Sequence, residues 1–323
     1  MKNYLYISTS GDGWTNLGTD EWFLEHVAAD EMVLHFYINQ RAVIIGRNQN
    51  PWAECALAAM ERDGVQLVRR ITGGGAVYHD RGNLNFSFIA GSQRYDQERQ
   101  LGLILEAVRA LGVPCAFTGR NDLTADGRKF SGNAFCKRRY VQQHHGTLLV
   151  DADLEKLSEY LRVDPRKLVS KGTKSVRSRV CNLRQFRSDL TTDMLLGAIV
   201  EAYARQYGDY AALKSADLPW AEIEPYVRKH ASWAWRLGET PRFDLEIENR
   251  FPWGGVQILL TLRQTRVEEA RVYSDALDTE LPGEIRERLL GCRFGSEPMA
   301  EALERSPNAQ AREVAAYIRD QGL

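Results

Sequence analysis

Three consecutive glycines, Gly73-Gly74-Gly75, follow Arg69-Arg70-Ile71-Thr72 and precede Ala76-Val77-Tyr78-His79-Asp80. Glycines in a row cost backbone entropy and add nothing to a core, so they belong where a chain curves tightly or approaches a ligand. Successive N–H groups in such a turn can converge on an anion, and Arg69 or Arg70 can add charge-assisted hydrogen bonds. The combination suits a phosphate. A glycine-rich strand-to-strand turn with surface arginines explains the triplet alone about equally well. Neither common nucleotide fingerprint is present: there is no G-x-x-x-x-G-K-[ST], and no G-x-G-x-x-G between a strand and a helix.

A second group lies in Gly119-Arg120-Asn121-Asp122-Leu123-Thr124-Ala125-Asp126-Gly127-Arg128-Lys129-Phe130-Ser131-Gly132. A lone lysine is usually solvated. Beside Asn121, Asp122 and the small Ser131-Gly132 pair, Lys129 can face a ligand, and an ammonium between a carboxylate and a phosphate stabilises charge on both. His144-His145 invites a metal, but neighbouring side chains of a strand point to opposite faces, so the pair cannot readily chelate one ion. No H-E-x-x-H occurs. Residues 165–188 carry Arg166, Lys167, Lys171, Lys174, Arg177, Arg179, Arg184 and Arg187 without one Asp or Glu. This basic run is a solvated face, an anion-closing flap or a nucleic-acid contact. Phe186 is its one aromatic, which leaves little for bases to stack on.

The elements that must position these groups follow from periodicity. Tyr4–Ser8, Val33–Asn39, Ala42–Gly46, Val65–Ile71 and Ala76–His79 are expected strands. Leu84, Phe86 and Phe88 alternate with Asn83, Asn85 and Ser87, which puts an apolar set and a polar set on opposite faces. Helical spacing runs over 97–111, stopped by Gly112 and Pro114. Asp126-Gly127 is a type I′ hairpin signal that aims Lys129 from a strand end. Thr191-Thr192-Asp193 opens a helix closed by Gly208, and Trp220 to His230 is another. Asp244–Ile247, Val256–Leu262 and Glu269–Tyr273 alternate as strands, and two helical stretches finish the chain. The fold class expected is α+β.

With 323 residues, 42 Lys+Arg against 43 Asp+Glu and 44% hydrophobic residues, the chain is an ordinary globular one of about two domains. Its formal charge of -1 excludes a surface basic throughout, so charged sites are local. No stretch approaches the ~18 apolar residues of a membrane span, and Met1 to Ser10 lacks the apolar core of a secretory signal. A cytoplasmic protein without membrane or nucleic-acid partners is expected. The five scattered cysteines, Cys55, Cys115, Cys136, Cys181 and Cys292, form no C-x-x-C and read as reduced thiols.

Taken in order, Arg69–Asn83, Gly119–Leu123, Gly127–Gly132, His144–Leu149 and Lys174–Leu183 resemble the lipoate-protein ligase family, and Gly46–Trp52 belongs to the same pattern. Ser232–Gly238 and Arg250–Val256 resemble the accessory domain of its long form. The resemblance implies a biotin/lipoate-ligase-like catalytic domain over 1–242, with mixed β-sheets flanked by helices, and a small α+β domain over 243–323. It implies activation of lipoate with ATP and Mg2+, then transfer to a lysine of lipoyl domains of 2-oxo-acid dehydrogenase complexes or of the glycine-cleavage carrier protein, by a monomer. Lys129 would be catalytic. Arg70, Gly75, Ala76, Val77, Tyr78, Asn121, Asp122, Ser175 and Arg177 would join it around the nucleotide, and Arg70, Thr72, Gly73, Gly74, His79 and His145 around lipoate. No residue is assigned to Mg2+.

The physical chemistry agrees. A carboxylate resists nucleophiles until a phosphate leaving group replaces its charged oxygen, and bringing two anions together requires cations at the meeting point. Asn16–Glu21 reads N-L-G-T-D-E where the family more usually has N-L-A-x-E-E, and Thr72 replaces the commoner serine. Both changes bear on acyl-chain preference between lipoate and octanoate. Two alternatives are carried: a thioester-dependent octanoyl or lipoyl transferase using Cys181, and a non-catalytic lipoate or nucleotide binder.

Overall fold

The computed structural model describes residues 2–118, 121–162, 180–237, 244–263 and 265–323. The chain divides into two compact units. The first comprises Met1–Ile45, Pro51–Ile71 and Ala76–Arg236, and the second Gly46–Asn50, Thr72–Gly75 and Leu237–Leu323.

In the first unit the strands are β1 (Lys2–Ile7), β2 (Glu31–Tyr37), β3 (Arg41–Ile45), β4 (Gln66–Arg69), β5 (Val77–Asp80), β6 (Asn83–Gly91), β7 (Ala116–Thr118), β8 (Asp122–Ala125), β9 (Arg128–Arg138), β10 (Val141–Leu149) and β11 (Ala211–Leu213). Eight of them form one mixed sheet in the order β11-β1-β2-β6-β10-β9-β8-β7, and the other three form a small sheet β4-β3-β5. β1 runs parallel to β2 and β11, and β2, β6, β10 and β9 pair antiparallel in sequence.

The alternation along β6 decides what each face of the large sheet carries. Phe86 and Phe88 join Leu34, Phe36 and Leu148 in a core roofed by helices Gln97–Ala110 and Thr192–Tyr207. Each helix starts where the sequence places it, with the side chains of Asp96 and Thr191 accepting from Arg99 N–H and Met194 N–H. Gly208, at φ 82, ends the second. On the opposite face the register aligns His35 with Ser87 and His145, and Tyr37 with Asn85 and Thr147. That polar face is buried too, so both halves of the alternation are interior.

Helix Gly13–His26 covers part of the polar face and was not legible as a helix. It buries Asn16, Thr19, Asp20 and Glu21 along with Leu17, Phe23 and Leu24, so no clean apolar stripe marks it. Asp12 caps it, accepting from Thr15 N–H at 2.6 Å.

The second unit contains an antiparallel meander of β12 (Leu245–Phe251), β13 (Gly254–Arg263) and β14 (Arg266–Ser274). Three helices follow, Leu281–Leu289, Ser296–Glu304 and Ala309–Arg319, where the sequence suggested two. Gly295, at φ 141, separates the first pair, and Asn308 starts the last by accepting from Gln310 and Ala311 N–H. Ile258, Leu260, Ile285, Leu289, Leu303, Val314 and Ile318 form its core. Gly46–Asn50 is bound into this unit by polar contacts: Ser274 N–H donates to Asn48 O at 2.7 Å, Asn48 Nδ2 to Thr279 O at 2.9 Å and Asn50 Nδ2 to Gln257 Oε1 at 3.0 Å.

Candidate active site

The β8–β9 hairpin turns at Asp126 (φ 49) and Gly127 (φ 69), as a type I′ turn requires. Its register then slips. Leu123 pairs with Ser131, but Thr124 pairs with Lys129, leaving Phe130 as the extra residue of a bulge. The slip sends Phe130 into the core beside Leu123 and Ala125 and turns Lys129 towards Gly132. Lys129 Nζ lies 2.7 Å from Asp122 Oδ1, with each side chain about one-third exposed. A Cβ on Gly132 would come within 2.9 Å of Lys129 Cε and Nζ, so glycine is what leaves room for the ammonium. Gly132 N–H in turn donates to Thr147 Oγ1 at 3.1 Å.

Asn121 fixes the neighbouring strand. Its Nδ2 donates to Asn133 O at 2.8 Å, and its carbonyl accepts from Asn133 N–H at 2.9 Å. Val180 forms an isolated parallel bridge with Lys129, and Cys181 N–H donates to Lys129 O at 2.9 Å, so this part of the basic run lies beside the lysine. Ser175, Arg177 and the expected flap lie outside the described residues.

A second polar group surrounds Arg70, which leaves the end of β4 buried, with Nη1 3.3 Å from Ile44 O. Burial lowers its pKa to about 10, partly opposed by Tyr37, so the guanidinium stays charged at neutral pH. Burial and the Arg70 charge bring His79 down to about 3. His145 is pushed well below the usual histidine range by burial, then by Arg70, His144 and His79. His145 Nδ1 is 4.0 Å from Asp20, whose two oxygens also meet His35 Nδ1 at 2.8 Å and Gln143 Nε2 at 3.0 Å. His144 points the other way, between Phe86, Phe88 and Phe135, bonded to Gln100 and Asn133. The two histidines share no site, as strand alternation requires, and among the described residues no group of three His, Cys, Asp or Glu could hold a metal ion.

The glycine triplet has a partly different explanation from the one its sequence suggests. A Cβ on Gly73 would fall 2.5 Å from Ala276 O and 2.7 Å from Leu277 O, and Gly74, at φ 97, donates its N–H to Ala276 O at 3.1 Å. Close backbone packing inside the second unit therefore accounts for these two glycines, and the Gly74 N–H is already engaged rather than offered to an anion. Gly75 differs: a Cβ there would meet nothing within 4 Å. Gly75, Ala76 and Val77 are partly exposed, whereas Thr72, Gly73 and Gly74 are buried. The Tyr78 ring is buried against Tyr160 at 5.5 Å, so only its backbone is suited to a ligand.

Of the residues expected at the site, Asn121, Asp122 and Lys129 form one group and Arg70, His79 and His145 another, both in the first unit. Thr72, Gly73, Gly74 and Gly75 belong to the second. The sequence reading placed Gly132 beside the lysine but missed Thr147 behind it, and Asp20, His35 and Gln143 under His145. The bulge at Phe130 has no residue signature. Asp20 was visible as the shorter acid in Asn16–Glu21, but its partners were not.

The large mixed sheet is polar on one buried face and carries the Lys129–Asp122 pair on strands near its edge, and Arg70 lies buried in the same unit. Residues 12–204 match the lipoyl protein ligase A/B catalytic domain, and residues 240–316 the bacterial lipoate protein ligase C-terminus. The lipoate-protein ligase A of Psychrobacter cryohalolentis is 38% identical over 329 residues, covering 99% of this chain and 97% of the relative. Among solved structures, P. falciparum LipL1 in complex with lipoate superposes with a TM-score of 0.85 at 25% identity, covering 99% of this chain and all of that one. A bipartite lipoate protein ligase from Thermoplasma acidophilum, studied with its E2 lipoyl domain, gives 0.63 at 29% identity, covering 76% and 100%. A lipoate-protein ligase A bound with ATP gives 0.61 at 28%, covering 74% and 99%. The chain belongs to the lipoate-protein ligase family, and it is a ligase. No helix among its described residues is long and apolar enough to cross a membrane.

Proposed function

We propose that this chain activates lipoate with ATP, releasing pyrophosphate, and then passes the lipoyl group to a lysine of a lipoyl carrier domain. The observation that carries the reading is the Lys129 ammonium, paired with Asp122 and given space by Gly132. A carboxylate oxygen and an α-phosphate repel one another, and a fixed ammonium at their meeting point lowers that repulsion most where charge is transferred. The ATP-bound and lipoyl-domain-associated ligases of similar fold support the choice of nucleotide and of acceptor class.

In this reading Arg70, His79, His145 and Lys129 hold lipoate. Gly75, Ala76, Val77, the backbone of Tyr78, Asn121, Asp122, Ser175 and Arg177 hold the adenylate together with Arg70 and Lys129. Residues 1–242 form the catalytic domain and 243–323 the accessory domain of a cytoplasmic monomer. Mg2+ binds most readily through substrate phosphates with few protein carboxylates. When bound it would offset triphosphate charge; Asp122 is the site carboxylate available to it. His79 and His145, held neutral by burial beside Arg70, are poor bases for the acceptor amine. The acceptors proposed are lipoyl domains of 2-oxo-acid dehydrogenase complexes and the glycine-cleavage carrier protein.

Cys181 is fully buried, its thiol raised chiefly by burial, and Sγ lies 3.3 Å from Arg128 O. That setting suits packing and not a thioester nucleophile. The deciding experiment is mass spectrometry of a purified carrier domain incubated with the protein, ATP, Mg2+ and lipoate. A gain of one lipoyl group that needs all three is expected. Acylation from an octanoyl thioester without nucleotide would replace this reading.

A further inference from the structure

His79 is buried on β5 and makes one of its two possible ring hydrogen bonds: Nδ1 lies 3.1 Å from Asn39 Nδ2, while Nε2 has no partner among the described residues. A neutral imidazole carries its proton on one nitrogen or the other, and what the second nitrogen offers a ligand depends on that choice. Here the choice is made three residues away in the hydrogen-bond chain. The Ser10 backbone carbonyl can only accept, and Asn16 Nδ2 donates to it at 2.9 Å, which fixes which end of the Asn16 amide is NH2. The Ser8 hydroxyl, which accepts from Ser10 N–H at 3.2 Å, donates to Asn16 Oδ1 at 2.7 Å and confirms that orientation.

The same Asn16 NH2 also donates to Asn39 Oδ1 at 2.9 Å. With its oxygen committed, Asn39 turns its own NH2 to His79, and an amide NH2 can only donate. His79 Nδ1 is thus the acceptor, and the proton belongs on Nε2. Asn16 and Asn39 are 1% and 0% exposed, so water cannot substitute for either link. The charged and titratable neighbours, Arg70 and His145, favour keeping the ring neutral.

We propose that Asn16 and Asn39 are positioning residues that lock His79 as an Nε2–H donor for an oxygen of the acyl substrate. This rests on the reading of Arg70, His79 and His145 as the lipoate site. An unsatisfied buried donor is costly unless a ligand completes its bond. A guanidinium and an N–H in one buried group select an acceptor-rich partner, here the carboxylate of lipoate or the carbonyl it becomes. A nucleotide phosphate has the same chemistry, and kinetics separate the two.

The test uses the full-length protein with 15N-labelled histidine. Long-range proton–nitrogen correlation of the unliganded protein should show His79 as the Nε2–H tautomer, and lipoate should shift its Nε2 resonance. An Nδ1–H tautomer, or no shift with saturating lipoate, would overturn the proposal without any variant. Asn39→Leu keeps volume and removes the polarity. Losing one neutral hydrogen bond predicts a KM for lipoate about tenfold higher, with the KM for ATP and kcat within about twofold. An unchanged lipoate KM, or a rise confined to ATP, would overturn it. Should the tautomer be as expected while the wild type releases no lipoate-dependent pyrophosphate, the relay stands and the ligase reading fails.

Discussion

Asp122 and Lys129 are seven positions apart in sequence and 2.7 Å apart in space, and neither is informative alone. A surface ion pair contributes little to stability, so the pair's value lies in what the ammonium can do for a second anion. Lys129→Ala should therefore leave circular dichroism and thermal unfolding nearly unchanged. It should lower lipoate-dependent pyrophosphate release by a factor of about 100 or more, the scale of losing one group that stabilises developing charge. Retained activity in a folded variant would remove Lys129 from the chemistry. The lysine was legible because small residues surrounded it. The buried cluster under His145 was not, since Asp20 and His35 come from a helix and a strand distant in sequence, and Gln143, on the same strand as His145, joins it only through Asp20.

At the scale of elements, the β8–β9 hairpin sets the lysine's aim in two stages, a turn and then a bulge. The turn was readable from Asp126-Gly127, because few residues tolerate positive φ. Gly127→Ala forces a side chain into φ 69 and should destabilise the fold by about 1 kcal/mol in chemical denaturation. If the turn also holds the register, the KM for lipoate and that for ATP should rise together in the same variant, since Lys129 is read as meeting both. The bulge resisted prediction for a physical reason: it depends on how β9 registers against β8, which no residue type within either strand records. Helix Gly13–His26 was missed because a helix between two buried surfaces need not be amphipathic.

Across the whole first unit, Glu21 joins elements far apart in the chain. It meets Lys229 Nζ at 2.6 Å, His230 Nε2 at 3.0 Å and Arg138 Nη2 at 3.8 Å. His230 Nδ1 lies 3.1 Å from Arg69 O, next to the buried Arg70. Burial raises the Glu21 carboxyl, but hydrogen bonds from His230 and Lys229 and their charges outweigh it and bring the pKa from 4.5 to about 2. A lowered folded-state pKa means stability that is present above pH 4.5 and lost as pH falls towards 2. Glu21→Gln should flatten the fall in unfolding free energy across that window. Glu21→Ala should cost about 1–3 kcal/mol near neutrality, because it leaves the buried His230 ring and the Lys229 ammonium without their acceptor. An unchanged acid profile would show that the pair contributes little.

The sequence by itself determined the local and the chemical: the strands and capped helices with strong periodicity, the type I′ turn, the opposition of His144 and His145, and an ordered set of motifs that places the chain in its family. Those features depend on residue type and near neighbours, which a linear pattern records. Tertiary structure decided the rest. It assigned Gly73 and Gly74 to close packing on Ala276 and Leu277, took Gly74 N–H out of use, buried Cys181, and fixed the His79 proton through Asn16 and Asn39. Hydrogen-bond polarity and close backbone approach depend on partners brought together only by folding, so no spacing in the sequence encodes them.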